Sequence, residues 1–176
     1  MASIYDTISG WQSPVLYSKY NITSGQNDRY YYSLIDNNTN NNPISNLQSI
    51  WDGYILQNSS YVPYFFWKPS YSSTVDFAPR ITRIKFGNGY EQRIPDGFNT
   101  NLININLTFD QRTEKEAISI LHFLTIMNGQ TAFIYNVPEV LSKNSFNTKF
   151  ICPNWNTTYN FYQNYTISAT FEEVKA

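Results

Sequence analysis

The clearest pattern along the chain is an alternation of apolar and polar residues, broken by short turn sequences. In residues 80–98 the alternation stops at Gly87-Asn88-Gly89 and then resumes. Asn and Gly accept the positive φ that tight turns require, so this stretch predicts two short strands joined by an Asn-Gly turn. Further strands are predicted at residues 64–68, 101–109, 131–135, 149–152 and 165–171.

One segment, residues 114–128, has helical periodicity and one apolar face. Thr113 is predicted to cap its first turn together with Glu116, and Gly129 to supply a left-handed cap at its end. Several strands with one packed helix predict a mainly β (α+β) fold. Strands and helices do not alternate along the chain, so a parallel nucleotide-binding sheet is not favoured.

The first third of the chain has a different pattern, in which short aromatic pieces are separated by polar turns. It predicts two or three short strands around an aromatic cluster. We predict a domain boundary near Asn58, with a small β module in residues 1–58 and a larger domain in residues 59–176. A module of this size has a thin core, which large aromatic side chains strengthen by burying about 150–250 Å² each.

Composition narrows the possible functions. Aromatic residues make up 18% of the chain, and charged residues 14%, against a usual charged fraction of about 25%. Such a surface suits burial against copies or partners, although A+T-rich codon usage is an alternative source of the many Asn residues. The net charge of -1 gives no sign of binding to nucleic acid or to an anionic membrane. Without a secretory signal or an apolar run of about 20 residues, we expect synthesis in the cytoplasm and no membrane contact.

Residues that carry chemistry are sparse. The one cysteine, Cys152, is predicted to be a small buried residue, and the one histidine, His122, an ordinary helix residue. Glu172 and Glu173 are adjacent near the C-terminus, and we expect a solvated tail there. The sequence therefore predicts no enzymatic activity, no metal and no cofactor.

The aromatic residues of the first module are the one candidate small-ligand site. Their spacing over residues 8–53 resembles the small chitin- and cellulose-binding modules of carbohydrate-binding family 5/12. Aromatic rings stack on sugar faces and Asn side chains bind hydroxyls, so the predicted glycan-stacking residues are Trp11, Tyr31, Asn38 and Trp51. The alternative is that Trp11 and Trp51 form the core of the module.

The motif Phe86-Gly87-Asn88-Gly89-Tyr90, followed by Gln92 and Arg93, resembles the phage lambda-like minor tail protein M family. With the closing Phe171-Glu172-Glu173-Val174, the resemblance covers about residues 64–174. It implies a tail-tube-like antiparallel β-sandwich with one packed helix. It also implies a structural tail-tip protein of the virion, in a ring that joins the distal tail tube to the tip or baseplate complex.

The partners implied by the resemblance are other copies of the chain, as a hexamer, the tail tube protein and other tail-tip hub proteins. DNA is a partner only in transit through the lumen. The family has no counterpart of the N-terminal module, and we predict that this module decorates the exterior and contacts a cell-surface glycan. The alternative is a glycan-binding accessory protein with no role in tube assembly.

A closed ring needs a head-to-tail interface, and hairpins that add to a neighbour provide one. We therefore predict that the hairpin contacts the ring neighbour or partner, the alternative being an ordinary solvent-exposed hairpin. The predicted interface residues are Arg80, Arg83, Lys85, Phe86, Gly87, Asn88, Gly89, Tyr90, Gln92 and Arg93.

Overall fold

The computed structural model describes residues 8–25, 28–137 and 148–175, which form twelve strands and one helix. Residues 1–6, predicted not to be a secretory signal, lie outside the described residues. The helix α1 spans Glu114–Met127. The strands are β1 (Ile22–Ser24), β2 (Tyr30–Ser33), β3 (Trp51–Asp52), β4 (Tyr54–Gln57), β5 (Ser60–Phe65), β6 (Thr74–Phe77), β7 (Ile81–Lys85), β8 (Glu91–Pro95), β9 (Ile103–Arg112), β10 (Phe133–Tyr135), β11 (Lys149–Phe161) and β12 (Asn164–Val174).

Seven strands form the main sheet, in the order β4-β5-β10-β11-β12-β9-β6. Its longest ladders join β11 to β12 and β12 to β9, both antiparallel. One pair, β5 with β10, is parallel and departs from the predicted antiparallel pairing. The predicted mainly β class with one helix is confirmed.

The core lies between one face of this sheet and helix α1. Alternation along β9 and β12 places every second residue on the buried face. Burying a side chain of the size of Leu, Ile or Phe contributes about 1.5–3 kcal/mol, so this face provides much of the stability of the fold. Its main contributors include Ile105, Leu107 and Phe109 of β9, Ile167 and Phe171 of β12, and Ile120, Phe123 and Leu124 of α1.

The helix has the predicted position but not the predicted N-terminal cap. Thr113 has the extended backbone of an N-cap residue, yet its side chain makes no capping hydrogen bond. Glu116 instead accepts a hydrogen bond from Nη1 of Arg112 at 3.0 Å. At the other end the predicted Gly129 has a positive φ of 66°, and the left-handed backbone begins one residue earlier, at Asn128 (φ 49°).

Two predictions near the C-terminus were wrong. The strand expected to end at Cys152 continues to Phe161, because Pro153 lies in a register shift between Ile151 and Asn154, where the ladder is interrupted. Glu173 is also not part of a solvated tail. It is buried in β12, where its carboxylate accepts a hydrogen bond from the Ile103 backbone N–H at 3.1 Å.

The N-terminal residues form a three-stranded antiparallel sheet, β1-β2-β3. Tyr32 of β2 lies in the main core, whereas its neighbour Tyr31 lies in a second cluster. The predicted boundary falls in the turn of the β4–β5 hairpin, where Asn58 and Ser59 both have positive φ. The division into two domains at this point stays a prediction. The structure shows that β2 contributes Tyr32 to the main core and Tyr31 to the second cluster.

Candidate assembly surfaces

Strands β7 and β8, with the turn between them, form a hairpin that we call the arm. It is a separate two-stranded sheet inserted between β6 and β9, which pair with each other in the main sheet. At its base the Arg80 N–H donates to the Thr100 carbonyl (2.7 Å), and the Asp96 N–H donates to the Arg80 carbonyl (3.1 Å). All five residues of β7 and four of the five in β8 are exposed. The arm thus projects from the sheet edge by about 17 Å of strand.

The register of the arm gives it two different faces. One face carries the pairs Lys85–Glu91 and Arg83–Arg93. The other carries Ile84 and Ile94, and Phe86 and Tyr90 continue the same alternation at the turn. Ile84, Phe86, Tyr90 and Ile94 are all exposed, so the arm is a ribbon with one basic face and one uncovered apolar face.

The turn of the arm confirms the predicted Asn-Gly hairpin. The Phe86 N–H donates to the Tyr90 carbonyl at 2.8 Å, and the Gly89 N–H donates to the Phe86 carbonyl at 3.2 Å. Gly89 has a φ of +80°, which a residue with a Cβ adopts only with strain. A Cβ at Gly87 or Gly89 would meet nothing within 4 Å, so the constraint at Gly89 is one of backbone conformation.

The structure brings the ten predicted interface residues together on this arm, and each is exposed. Its charges are partly paired, because Oε1 of Glu91 lies 2.6 Å from Nε of Arg93 and 4.0 Å from Nε of Arg83. Exposed pairs of this kind contribute about 0–1 kcal/mol to stability. These ion pairs therefore do little to hold the arm rigid. The predicted contact role of the ten residues stays a prediction.

Sequence reasoning missed a second exposed hairpin end, residues 159–163 between β11 and β12, which we call the tip. Tyr159, Phe161 and Tyr162 are exposed there. The available signal was the absence of any Asp, Glu, Lys, Arg or His from residues 153–171. An aromatic run without charge is unusual at a surface.

The four predicted glycan-stacking residues are in very different positions. Tyr31 and Trp51 are fully buried, and Asn38 is buried with its Nδ2 donating to Oγ of Ser33 at 3.0 Å. Trp51 donates its Nε1–H to the Asn41 carbonyl at 2.8 Å. With Tyr17 and Tyr54, Tyr31 and Trp51 form what we call the aromatic cluster. This arrangement matches the core alternative for Trp51, while glycan binding by the four residues stays a prediction.

Trp11 differs from the other three because it is only partly buried. It lines a cavity of about 340 Å³ together with Pro43 and Ile44. Its Nε1–H is buried and makes no hydrogen bond. Tyr31 also lines this cavity, and its hydroxyl makes no hydrogen bond of normal geometry with the described residues. Burial raises the pKa of this hydroxyl, against the opposing effect of the nearby Arg29 guanidinium.

Two buried titratable groups flank the N-terminal sheet. His122 of α1 shares a 2.9 Å hydrogen bond between its Nδ1 and the Tyr32 hydroxyl, and burial lowers its pKa from 6.5 to about 4. Burial raises the pKa of Asp52 from 3.8 to about 7, against the opposing effect of the Gly53 N–H, which donates to its Oδ1 at 2.8 Å. Both groups are therefore favoured in their neutral forms.

The outer face of the main sheet is polar. Nδ2 of Asn106 donates to the Asp76 carboxylate at 3.0 Å, and Oγ1 of Thr170 donates to Oδ1 of Asn106 at 3.1 Å. These bonds connect β6, β9 and β12 across the sheet. Where these three strands pair with one another, their outward residues lack Lys and Arg, and they include Thr74, Asp76, Asn104, Asn106, Thr108, Thr166, Ser168, Thr170 and Glu172.

Groups suited to chemistry are few in the described residues. Cys152 is buried as predicted, and burial raises its pKa to about 12. Within residues 8–25, 28–137 and 148–175, no group of three or more His, Cys, Asp or Glu side chains is placed to hold a metal ion. Nor does this part of the chain contain a helix with the length and apolar character needed to cross a membrane.

In a comparison with known proteins, residues 63–175 match the family model described as phage minor tail protein. The chain is also similar to the tail tip protein M of Escherichia phage lambda, with 30% identity over 110 residues. The aligned part covers 62% of this chain and 95% of that protein. The match includes the arm, the main sheet from β6 onward and helix α1, and begins after β4.

Proposed function

This chain belongs to the phage minor tail protein family, and from that premise we propose that it forms a ring joining the distal tail tube to the tip or baseplate complex. As a member of that family it is a structural component of the phage tail and of the virion. The family is structural, which supports a non-enzymatic role. The ring, its partners and its six-fold symmetry are the proposal.

The observation that carries the proposal is the uncovered apolar face of the arm. A two-stranded hairpin alone is at best marginally stable in water, and this one exposes Ile84, Phe86 and Ile94 on the same side. Docking that face on the next subunit would cover these side chains. The arm and its receiving surface are different parts of the chain, so the contact is head-to-tail and closes into a ring if the rotation allows.

The basic face of the arm would then stay at the rim of the contact. Arg83, Lys85 and Arg93 outnumber Glu91 there. Charges at a rim steer association and fix the register more than they add affinity. We propose that this basic face orients the arm relative to the tube protein and the tip proteins.

We propose that the polar outer face of the main sheet lines the lumen through which DNA passes. Cations retain a polyanion, because each neutralised phosphate contributes to binding. This face instead offers amides, hydroxyls and two carboxylates. Asn106→Lys should then leave ring assembly unchanged and slow DNA ejection, measured by dye release from purified particles, and unchanged ejection would argue against the assignment.

Electron microscopy of the particle is the direct test of the ring. With a tag on this chain, density should appear as a ring at the distal end of the tail tube. Gly89→Val should reduce particle assembly, because the left-handed conformation costs a β-branched residue about 1–2 kcal/mol. Gly87→Ala is the matched control and should assemble normally, since Gly87 lacks a positive φ. Tagged particles without such a ring would refute the proposal.

A second candidate function, glycan binding by the N-terminal region on the exterior, is favoured by one observation. Trp11 is only partly buried and lines an accessible cavity, where the face of its ring is available to stack on a sugar. Binding to chitin or cell-wall glycan, lost in Trp11→Ala while folding is kept, would support this function. Equal retention of Trp11→Ala and the unaltered protein on the glycan would count against it.

A further inference from the structure

A second recess lies beside the end of β5, with a volume of about 590 Å³. Its walls are mostly aromatic, and among the described residues Lys68 is the one charged residue that lines it. The Asn136 Nδ2 donates to the Tyr64 hydroxyl at 3.1 Å, which fixes one side. The principal lining residues are Tyr64, Phe66, Trp67, Tyr71, Tyr135 and Asn136.

The walls of this recess are formed by packed rings. Trp67 is 3% exposed, and the Phe66 ring stacks on it with centroids 3.9 Å apart. Aromatic rings prefer to pack on other rings in offset or edge-to-face arrangements. The recess therefore suits an aromatic occupant without charge.

The tip has the complementary properties. Its rings are exposed, 78% for Tyr162 and 64% for Phe161, and rings of this kind bury about 150–250 Å² each when covered. Because residues 153–171 contain no charged side chain, the tip can enter the recess without burying a charge.

We propose that the tip of one copy of this chain docks in the recess of the next copy, where its exposed rings pack on the aromatic walls. The inference rests on the proposed ring and adds a second contact to it. The arm is a poorer occupant, because Arg83, Lys85 and Arg93 would approach Lys68. Tip and recess are different surfaces of one chain, so they form the head-to-tail contact that a ring requires.

Disulfide cross-linking tests this contact in assembled tails. Tyr71 lines the recess and is 99% exposed, and Tyr162 lies on the tip. The double variant Tyr71→Cys/Tyr162→Cys, oxidised with copper phenanthroline, should give a ladder of covalent oligomers on a non-reducing gel. Cys152 is buried, and burial raises the pKa of its thiol, so it should not form a cross-link. Matched controls are the two single variants and Tyr71→Cys/Tyr90→Cys, which places the second cysteine on the arm.

A ladder from the Tyr162 pair, well above that of the Tyr90 pair, supports the inference. A disulfide within one chain would overturn it, since the tip would then fill its own recess. Rings that assemble normally but give no cross-link would also overturn it, while leaving the proposed ring intact. Absence of the chain from any ring at the distal tube end would instead refute the proposed function.

A second variant does not depend on cysteine geometry. Phe161→Ser/Tyr162→Ser removes exposed rings only, so the melting temperature of the free chain should stay within about 2 °C, as for surface changes. The yield of assembled rings should fall at least tenfold. An unchanged yield would overturn the inference.

Discussion

The aromatic cluster near the N-terminus and the arm contain the same kinds of side chain in opposite environments. In the cluster, Trp51 and Tyr31 are fully buried, and the ring centroids of Tyr17 and Trp51 lie 5.1 Å apart, edge to face. In the arm, Phe86 and Tyr90 face solvent. An aromatic-rich sequence alone therefore does not show whether its rings are buried or exposed. In the cluster the rings form a core, and in the arm they are uncovered.

The largest loss of folding stability is expected for a substitution of Trp51 in the aromatic cluster. Trp51→Ala should lower the free energy of unfolding by about 3–5 kcal/mol, because it leaves a cavity in a small cluster and removes the bond to the Asn41 carbonyl. Urea denaturation followed by circular dichroism measures this loss. A loss below 1 kcal/mol would mean that the cluster adds little to the stability of the fold.

Replacing Asp52, which lies beside the aromatic cluster, should stabilise the protein by an amount that depends on pH. Its folded pKa of about 7 lies above the ordinary 3.8, so the folded state binds an extra proton between these values and loses stability as pH rises through that window. Asp52→Asn should therefore stabilise the protein at pH 8, by an amount on the order of 4 kcal/mol at most, and change little at pH 3. Melting temperatures at both pH values measure this, with exposed Asp96→Asn as a control that should show no such gain.

His122 should make the folding stability depend on pH in the opposite direction. Its folded pKa of about 4 lies below the ordinary 6.5, so the unfolded state binds the extra proton between these values. The contribution of His122 is fully present above pH 6.5 and falls by about 3 kcal/mol as pH drops to 4. His122→Gln should remove this slope relative to the unaltered protein, whereas Tyr32→Phe should keep it. A slope unchanged in His122→Gln would assign it to another group.

The smallest effect on folding is expected in the arm. Phe86→Ala should change the free energy of unfolding by less than about 0.5 kcal/mol, since the ring is exposed. The same variant should reduce ring assembly in particles, counted by electron microscopy. If Phe86→Ala destabilised the free chain as much as Trp51→Ala does, the contrast between the two regions would be lost.

The sequence was sufficient where local pattern decides the structure. Alternation located β7, β8, β9 and β12, and the apolar face of residues 114–128 located α1. It was insufficient where a competing side chain or the strand register decides the structure. Arg112 takes the Glu116 carboxylate away from the helix cap, and the register shift at Pro153 lets β11 continue past a residue that usually ends strands.

The candidate sites divide in the same way. The arm could be predicted because a turn and its strands are adjacent in sequence. The burial of Tyr31 and Asn38 was not predicted, and that of Trp51 was predicted only as an alternative, because it depends on how several short segments of the N-terminal region pack together. The tip and the recess were missed for a related reason, since the recess combines the end of β5 with Tyr135 and Asn136 of a distant segment.

The way the arm leaves the sheet has a mechanical consequence. Its two strands continue by backbone from β6 and β9, and β9 is itself paired with the long strand β12. A pull along the arm therefore loads these ladders lengthwise, so that many hydrogen bonds share the force at once. A subunit tethered to its neighbour through such an arm would resist being dragged out of place when the tail is under tension.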